Sequence, residues 1–304
     1  MKIYTITLNP AYDIHAYTAH FEPFHENLAE ILSREAGGKG VNISRALTVY
    51  GTQNTALVVV GKDNCADFLS ELDKAKMSYM TFEREGRIRE NLTLHTSDSD
   101  ETRISFSGFS ADESLLFEAE EKIEPENSIV TFTGRVPKGI SMSAVKSFLK
   151  RLSQRGAKIV IDSRSFTLED IFEVKPWLIK PNQEEISEFF GCNIETVVSA
   201  AEKAREIGAR GVENVMISLG AQGAILFDGK KIHTATPPKI TAVSTIGAGD
   251  SSIAGFISAY SEEKSAAECL RLAVAFGSSA CLTEGSMPPR KQDIEEIYQK
   301  IAVE

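Results

Sequence analysis

The sequence predicts an α/β fold: a mostly parallel, doubly wound sheet covered by helices on both faces, with a small accessory β-sheet. Short runs rich in β-branched residues alternate with stretches in which apolar residues recur at positions i, i+3, i+4 and i+7. Such alternation is typical of a parallel sheet packed between helices. Neither an internal repeat nor a low-complexity linker interrupts the 304 residues. We therefore expect one domain spanning residues 1–304.

Runs of β-branched residues predict the central strands, and stripes at helical spacing predict helices packed on the sheet. The predicted strands are Lys2–Thr7, Thr55–Val60, Ser128–Thr133, Lys158–Asp162 and Asn214–Ser218. The stripes are Ile43, Ala46, Leu47 and Tyr50; Cys65, Phe68, Leu69 and Leu72; Val145, Phe148, Leu149 and Leu152; and Ile294, Ile297, Tyr298 and Ile301.

Two segments break this rhythm and have the pattern of half-exposed strands, His15–Ala36 and Arg87–Phe106, within residues 12–36 and 87–108. In the second segment, apolar and polar residues alternate, so one face of the strand is apolar and the other polar. The alternating residues are Ile88, Leu92 and Leu94 against Arg89, Asn91 and Thr93. These strands predict a lid over a ligand site, and their edge invites pairing with another subunit. A solvated sheet edge without a role is the alternative.

Composition excludes several classes of protein. Hydrophobic residues make up 42% and charged residues 25% of the chain, which is the globular average and excludes disorder. The net charge of −10 disfavours binding to nucleic acid or to an anionic membrane. No apolar run approaches the roughly 20 residues of a spanning helix, and no signal-peptide pattern opens the chain. We expect a cytoplasmic protein.

Cysteines and histidines carry no predicted site. The four cysteines lack CxxC spacing and lie in apolar patterns, which predicts buried free thiols. They are Cys65, Cys192, Cys269 and Cys281. The five histidines lack ligand spacing, and three of them fall in the predicted lid, where solvation is favoured over metal binding. The lid histidines are His15, His20 and His25.

The segment Ser244–Ser252 (STIGAGDSS) follows a strand-like stretch and precedes an apolar helical run. Glycines before a helix let several amides point at one spot, where the helix dipole favours an anion. The segment therefore predicts a phosphate site. Asp250 would lie in the first helical turn, beside that site, where it could deprotonate an acceptor hydroxyl. Alternatively, Asp250 is an ordinary N-terminal capping residue of this helix.

Two more glycine clusters indicate possible ligands, and several missing motifs exclude other classes of enzyme. Gly37-Gly38-Lys39-Gly40 precedes an amphipathic helix that carries Asn42, a combination that suits a polyol or a sugar phosphate. The run Ser218–Gly223 (SLGAQG) ends a strand and could make room for a nucleotide, although a plain turn also explains it. The P-loop, Rossmann, HExxH and GxSxG motifs are all missing from the sequence.

These segments resemble the PfkB, or ribokinase-like, carbohydrate kinases over essentially the whole chain. Five motifs occur in that family's order: TLNPAYD from Thr7, GGKGVN with the following SRAL, KPNQEE from Lys180, SLGAQG and GAGD. The opening and the GGKG element look most like the branch that contains 1-phosphofructokinase and tagatose-6-phosphate kinase. Members of this branch phosphorylate a ketohexose phosphate with ATP and Mg²⁺. The resemblance thus implies a ribokinase-like fold with a β-sheet lid that often forms a dimer contact.

The resemblance also implies roles for single residues. Asp250 matches the catalytic base, and the amides of Gly247, Ala248 and Gly249 match the anion hole. The sugar and its phosphate are matched by Asp13, Gly37, Gly38, Lys39, Asn42, Arg89 and Asn91. The nucleotide side is matched by Lys180, Asn182, Ser218, Gly220 and Gly223, with Ser279 near the adenine or ribose. Asn182 and Glu185 match an NxxE element that influences Mg²⁺ through water.

Two departures from the family pattern bear on the acceptor. Leu28 follows Asn27 where relatives tend to carry an arginine, and Arg135 stands where they often carry a serine. Either Arg135 supplies the missing charge from another direction, or the acceptor has changed. A guanidinium can bind phosphate with two hydrogen bonds, which favours a phosphorylated acceptor. A surface salt bridge is the alternative role for Arg135.

Three functions follow from these residues. The preferred one is an ATP-dependent kinase for a ketohexose phosphate, with fructose 1-phosphate ahead of tagatose 6-phosphate. The second is a kinase of the same fold for an unphosphorylated sugar or a nucleoside. The third is a sugar-phosphate sensor without turnover, against which the intact GAGD and NxxE elements argue. We expect a homodimer through the lid strands and neither nucleic acid nor membrane as a partner.

Overall fold

The computed structural model describes residues 1–98 and 101–304. These residues form fourteen strands and ten α-helices. The strands are β1 Lys2–Thr7, β2 Ala11–Tyr17, β3 Glu30–Gly37, β4 Thr55–Gly61, β5 Tyr79–Arg84, β6 Arg89–His95, β7 Glu101–Ser105, β8 Ser128–Thr133, β9 Ala157–Asp162, β10 Leu178–Ile179, β11 Asn214–Ser218, β12 Ala224–Phe227, β13 Ile232–Thr236 and β14 Ala302–Val303. The helices are α1 Lys39–Tyr50, α2 Cys65–Lys74, α3 Ser114–Lys122, α4 Met142–Gln154, α5 Leu168–Val174, α6 Gln183–Phe190, α7 Val197–Ala209, α8 Ala248–Ser261, α9 Ala266–Ala280 and α10 Lys291–Lys300.

The larger sheet has ten strands in the order β14-β13-β12-β11-β10-β9-β8-β1-β4-β5. The strands from β11 to β5 pair in parallel, and β12 to β14 extend the sheet in antiparallel fashion. The strand order reverses between β1 and β8, which is a topological switch point. In open α/β sheets, ligands bind outside the carboxyl ends of the strands at such a point. This edge is therefore the place to look for a site.

The predicted central strands are confirmed. The bounds of β1, β8 and β11 agree with the predictions, while β4 and β9 are each one residue longer. Helices α2 to α7 pack their apolar stripes on one face of the sheet, and α1, α8, α9 and α10 pack on the other. In α4, Val145, Phe148, Leu149 and Leu152 are all completely buried. The local apolar period thus predicted both the helices and the faces that they bury.

The predicted accessory sheet is present and has four strands in the order β3-β2-β6-β7; we call it the lid. Residues 99–100 of the predicted lid segment lie outside the described residues. Asp13 lies opposite Glu35 on β3 and Asn91 on β6, so one face is polar. Ile14 lies opposite Leu92, so the other face is apolar. The alternation seen in the sequence is therefore the amphipathic character of this sheet.

All four cysteines are free, but the prediction that they are buried holds only for Cys269. Cys65 and Cys281 are half-buried, and Cys192 is exposed. Gly191 ends α6 in the left-handed conformation and turns the chain, so Cys192 follows the helix rather than lying on its buried face. Within the described ranges, no helix has the length and apolar composition needed to cross a membrane.

Candidate active site

The start of α8 has the geometry that the sequence predicts for a phosphate site. Gly247 precedes the helix with φ of 77°, a left-handed conformation that favours glycine. The amides of the first turn, including those of Ala248 and Gly249, point out of the helix end unpaired by the helix itself. A Cβ atom on Gly249 would lie only 3.1 Å from Nζ of the buried Lys180. Backbone amides, helix dipole and an ammonium group thus converge on one spot.

Asp250 lies in the first turn of α8 and is only 7% exposed. Its Oδ2 accepts a hydrogen bond of 2.9 Å from Nδ2 of Asn42 on α1. The cap position belongs to Gly247, and no side-chain cap hydrogen bond is formed there. The alternative of Asp250 as an ordinary cap is therefore not what this helix end does. Its carboxylate instead links α8 to α1 through the hydrogen bond with Asn42.

The pKa of Asp250 is raised to about 6, mainly by burial and in part by the nearby carboxylate of Asp162. Lys39, the Asn42 hydrogen bond and Lys180 act in the opposite direction. A carboxylate with a pKa near neutrality is better matched to accepting a proton from a sugar hydroxyl than one with an ordinary pKa. The site therefore holds Asp250 in the range that suits a general base.

Asp162, the last residue of β9, is a member of the site that the sequence analysis missed. Lys39 Nζ lies 2.9 Å from Oδ2 of Asp162, whose side chain is 4% exposed. Burial alone would raise the pKa of Asp162, but Lys180 and Lys39 outweigh it and lower that pKa. For Lys39, Asp162 and Asp250 outweigh the effect of burial and raise the pKa of the ammonium. The position of Asp162 at the carboxyl end of a buried parallel strand was the signal available in the sequence.

The polar face of the lid brings together the predicted sugar-binding residues. Asn91 Nδ2 donates to Oδ1 of Asp13 over 2.9 Å, and Arg89 Nη1 donates to Oδ1 of Asn91 over 3.1 Å. Burial is the main cause that raises the pKa of Asp13 and lowers that of Arg89. A Cβ atom on Gly37 would collide with the Asp13 carboxylate, so glycine leaves this carboxylate in its place. The lid therefore offers donors and acceptors on one surface, as a polyol needs.

Gly38 closes the sugar side against the end of β1. Its φ of 123° is a left-handed conformation, and a Cβ atom there would lie 2.8 Å from Cγ2 of Thr7. This close approach sets the N-terminus of α1 directly on the sheet. Lys39 is consequently held over the carboxyl end of β9.

Arg135 is exposed in the loop after β8, and its charge helps burial to lower the pKa of Arg89. The two guanidinium groups therefore face a common region. Leu28, by contrast, is 86% exposed in the loop between β2 and β3. The positive charge on this side of the site thus comes from Arg89 and Arg135, together with Lys39.

A cavity of about 1050 Å³ lies between α6, the turn after β11, α8 and α9. Four of the predicted nucleotide-side residues line it, namely Asn182, Ser218, Gly220 and Gly223. Gly249 lines it as well, so the cavity meets the anion site. The volume and the mixture of apolar and amide groups suit a nucleotide.

Ser279 is placed differently from its prediction. It is completely buried in α9, and its hydroxyl has no hydrogen-bond partner within the described residues. The neighbouring Ser278 lines the cavity instead, as does the Pro237-Pro238 pair after β13. One residue along a helix turns a side chain by about 100°, which is enough to move a hydroxyl from cavity to core. The proline pair could have been noticed in the sequence as a rigid segment beside the glycine turn.

Asn182 and Glu185 form a reciprocal cap at the start of α6. Asn182 Oδ1 accepts from the Glu185 amide at 2.8 Å, and Glu185 Oε2 accepts from the Asn182 amide at 3.1 Å. Arg164 Nε donates to the other Glu185 oxygen at 3.1 Å. Glu185, Glu188 and Asp162 line a cavity of about 250 Å³. Oxygen donors around a space of this size fit a hydrated Mg²⁺ held through water, although no direct metal-binding cluster occurs among the described residues.

Comparison with known proteins agrees with this geometry. The model of the pfkB family carbohydrate kinases matches residues 6–293. The chain is 30% identical to a 1-phosphofructokinase of Vibrio cholerae, over 99% of this chain and 96% of that protein. It is 33% identical to a 1-phosphofructokinase of Escherichia coli, over 92% of this chain and 90% of that protein.

Among solved structures, phosphofructokinase-2 from Escherichia coli in complex with substrates and products superposes with a TM-score of 0.92. The two sequences are 28% identical, and the match covers 99% of each chain. A possible 1-phosphofructokinase from Thermotoga maritima shares the fold with a TM-score of 0.82 at 19% identity. The family model spans nearly the whole chain, and the two relatives match over 96% and 90% of their own lengths. The chain belongs to the pfkB family carbohydrate kinases.

Proposed function

We propose that this kinase transfers the γ-phosphoryl group of ATP to a hydroxyl of a ketohexose phosphate, with fructose 1-phosphate as the preferred acceptor and tagatose 6-phosphate as the next. One observation carries the proposal. Asp250 lies buried in the first turn of α8, bonded to Asn42 of α1 and directly after Gly249, which lines the nucleotide cavity. A base and an anion hole at the junction of two binding sites are what in-line phosphoryl transfer requires.

In this proposal Asp250 accepts the proton of the acceptor hydroxyl as that oxygen bonds to the γ-phosphorus. The bond between the γ-phosphorus and the bridging oxygen breaks, and ADP leaves with that oxygen. The Gly247, Ala248 and Gly249 amides stabilise the charge that develops on the transferred group. Lys180, beside Gly249, adds a cation at the same place. Because these groups are fixed before the reaction, they need no reorganisation as charge develops.

When Mg²⁺ is bound with ATP, it neutralises part of the negative charge of the phosphates. Asn182 and Glu185 would hold it through water at the cavity that Glu185 and Asp162 line. Arg164 keeps the Glu185 carboxylate oriented, and Ser218 N bonds to the Pro181 carbonyl over 3.2 Å and braces the segment before α6. These contacts set the position of the carboxylate without the ion.

A phosphorylated acceptor is favoured by the charge on the sugar side. Arg89 and Arg135 face one region, and Lys39 lies beside Asp250. Lys39 is already paired with Asp162, but Arg89 and Arg135 repel each other, and an anionic phosphate on the acceptor would offset that repulsion. The name 1-phosphofructokinase, carried by relatives that are 30% and 33% identical to this chain, supports fructose 1-phosphate as the first candidate acceptor. Leu28 stands where relatives tend to carry an arginine, and its exposed side chain supplies no charge to bind a phosphate. An unphosphorylated sugar or a nucleoside is therefore the second candidate acceptor.

The lid also supports a proposed homodimer. Its apolar face carries Ile31, Ile104 and Phe106, which are 64%, 42% and 52% exposed. Ile104 lies opposite Leu92 and continues the apolar row from Ile14. The polar face is occupied by the site, so the apolar face is free to pack against a second copy of the lid.

Replacing Asp250 with asparagine is expected to lower kcat by at least about 100-fold, the usual contribution of general-base catalysis. Asparagine keeps the size of the side chain but cannot accept the proton. Nucleotide affinity should stay within about threefold of the wild type, because the cavity is unchanged. Steady-state kinetics and isothermal titration with ADP measure the two effects. Wild-type turnover in the variant would remove Asp250 from the role of base.

The kcat/KM of the wild type is expected to fall about tenfold per pH unit below pH 6. The acidic side, or acidic limb, of the pH profile of kcat/KM follows the protonation of the catalytic base in the free enzyme. The pKa of Asp250 is raised to about 6, so the required carboxylate form is lost as the pH falls through that value. Replacing Lys39 with methionine removes a cation that lowers this pKa, so the limb should move to higher pH. Lys62, an exposed lysine paired with Glu85, gives the control variant Lys62→Met. A limb that stays in place in Lys39→Met would contradict the electrostatic assignment.

Turnover is expected to be confined to ketohexose phosphates in a coupled ADP-release assay with ATP and Mg²⁺. Fructose 1-phosphate, fructose 6-phosphate, tagatose 6-phosphate, fructose, ribose and a nucleoside form the panel. Arg135→Ala should raise the KM of the sugar phosphate about 10-fold or more, the loss typical of one charged hydrogen bond, and leave the KM of ATP unchanged. Arg155→Ala, at an exposed arginine that follows α4 and pairs with Glu120, is the control. Activity only with an unphosphorylated acceptor would overturn the preferred substrate.

Sedimentation velocity is expected to give a dimer for the wild type and a monomer for Ile104→Asp, because a charge cannot be buried unpaired in an apolar interface. Phe117→Asp is the matched control, since Phe117 is 59% exposed on α3, away from the lid. A wild type that sediments as a monomer at micromolar concentration would contradict the proposed dimer.

A further inference from the structure

The polar face of the lid contacts the loop that joins α9 to α10, residues 281–290. Ser286 Oγ donates a hydrogen bond of 3.2 Å to Oε2 of Glu35 on β3. Ser286 is 5% exposed, so this contact is shielded from solvent. A Cβ atom on Gly285 would lie 3.5 Å from Nε2 of His15 and 3.8 Å from Oε1 of Glu35. Two polar lid side chains therefore lie directly against the loop.

The same loop packs against the anion hole. The position that a Cβ atom would take on Gly247 lies 3.7 Å from Cα of Ser286 and 3.9 Å from its carbonyl oxygen. Ser244 Oγ donates to the Gly285 carbonyl at 3.4 Å, and the Ser244 hydroxyl also accepts from the Ile246 amide at 3.2 Å. The loop is thus in contact with the lid on one side and with the phosphate-binding turn on the other.

Glu35 is fixed relative to the sugar-binding residues. It lies directly opposite Asp13 in the pairing of β2 with β3. Arg45 of α1, 7% exposed, donates to the Ala36 carbonyl at 2.6 Å. Burial lowers the pKa of this guanidinium, while Glu35, Glu71 and Asp13 act against it. A shift of the lid that moves Asp13 towards a sugar must therefore carry Glu35 with it.

Two histidines of the lid sheet, His15 on β2 and His95 on β6, help to hold this arrangement. The His15 Nδ1 and His95 Nε2 atoms lie 2.9 Å apart, and the two rings stack with their centroids 5.2 Å apart. This contact corrects the expectation that His15 is simply solvated, because pairing of β2 with β6 sets His15 beside the strand end at His95. Its other nitrogen consequently faces Gly285 and Glu35.

We propose that Glu35 is a positioning residue that couples the lid to the anion hole through Ser286, so that a bound sugar phosphate raises the affinity for nucleotide. The inference rests on the proposed function for the identity of the sugar, but the contacts themselves do not depend on it. The hydrogen bond holds the loop against Gly247, and the loop in turn holds the turn whose amides receive phosphate. Coupling between two sites typically changes affinity by 5- to 150-fold.

The test is isothermal titration of ADP into the wild type, Ser286→Ala, Glu35→Ala and the double variant, each with and without fructose 1-phosphate. The wild type should bind ADP at least about fivefold more tightly when the sugar phosphate is present. Each single variant should lose that gain and also bind ADP more weakly without sugar. The double variant should lose no more than the worse single variant, which is the signature of residues that act together.

Three controls separate positioning from mere support of the fold. Ser286→Thr keeps the hydroxyl and should restore the coupling. Glu30→Ala removes a carboxylate from an exposed position of the same strand and should bind ADP like the wild type. Thermal unfolding midpoints identify loss of stability. If Glu35→Ala fails to fold because the buried Arg45 loses one of its neighbouring carboxylates, the comparison of Ser286→Ala with Ser286→Thr still decides the question.

Unchanged ADP affinity in Ser286→Ala, or additive losses in the double variant, would overturn the proposal. Failure of the proposed function gives a different result: the wild type then turns over no ketohexose phosphate, while the losses in ADP affinity without sugar still report on the contact between lid and loop. An ADP affinity that improves with sugar equally in all variants would also count against Glu35.

Discussion

The cluster of opposite charges at the end of β9 and at the starts of α1 and α8 is the constraint on which the site depends. Asp162 and Asp250 are both withdrawn from water, and each would be costly to bury alone. Lys39 lies 2.9 Å from Asp162 and is close enough to Asp250 to influence its pKa, and Lys180 influences both carboxylates. The ends of α1, α8 and β9 must therefore meet for the carboxylates to stay ionised. The imbalance that remains at Asp250 keeps its pKa near 6.

Steric requirements of glycine shape the same region. Gly37 leaves room for the Asp13 carboxylate, and Gly38 and Gly247 adopt left-handed conformations at the starts of α1 and α8. These positions let two helix N-termini approach the switch point of the sheet closely. The proposed sugar side therefore takes its shape from the start of α1, and the proposed phosphate side from the start of α8. Asn42, which bonds to Asp250, lies where the two helices touch.

The lid adds a second layer of organisation through its two unlike faces. Its polar face carries Asp13, Asn91 and Glu35, so binding of a polyol and contact with the loop at Ser286 use the same surface. Its apolar face is exposed at Ile31 and Ile104, away from the site. Because side chains alternate along a strand, one sheet can serve a ligand on one face and another protein surface on the other.

Much of the fold and part of the site were determined by local sequence. The period of apolar residues determined the strands β1, β8 and β11 and the buried stripe of α4, because burial on a sheet or helix repeats over a few residues. The glycines before Asp250 likewise marked a helix end able to bind phosphate, since that property needs only neighbouring residues. Four of the predicted nucleotide-side residues, among them Ser218 and Gly220, do line the large cavity.

Tertiary structure alone decided which distant residues meet. Nothing local indicates that Lys39 pairs with Asp162, 123 positions away, or that Glu35 bonds to Ser286, 251 positions away. The choice of Ser278 over Ser279 at the cavity depended on the rotation of α9, which is set by its packing against α8 and α10. The pKa of Asp250 also belongs to this class, because burial and neighbouring charges exist only after the chain has folded. The local pattern of apolar residues shows which side of a strand or helix is buried. It does not show which distant residues pack against that side, because those contacts form only in the folded chain.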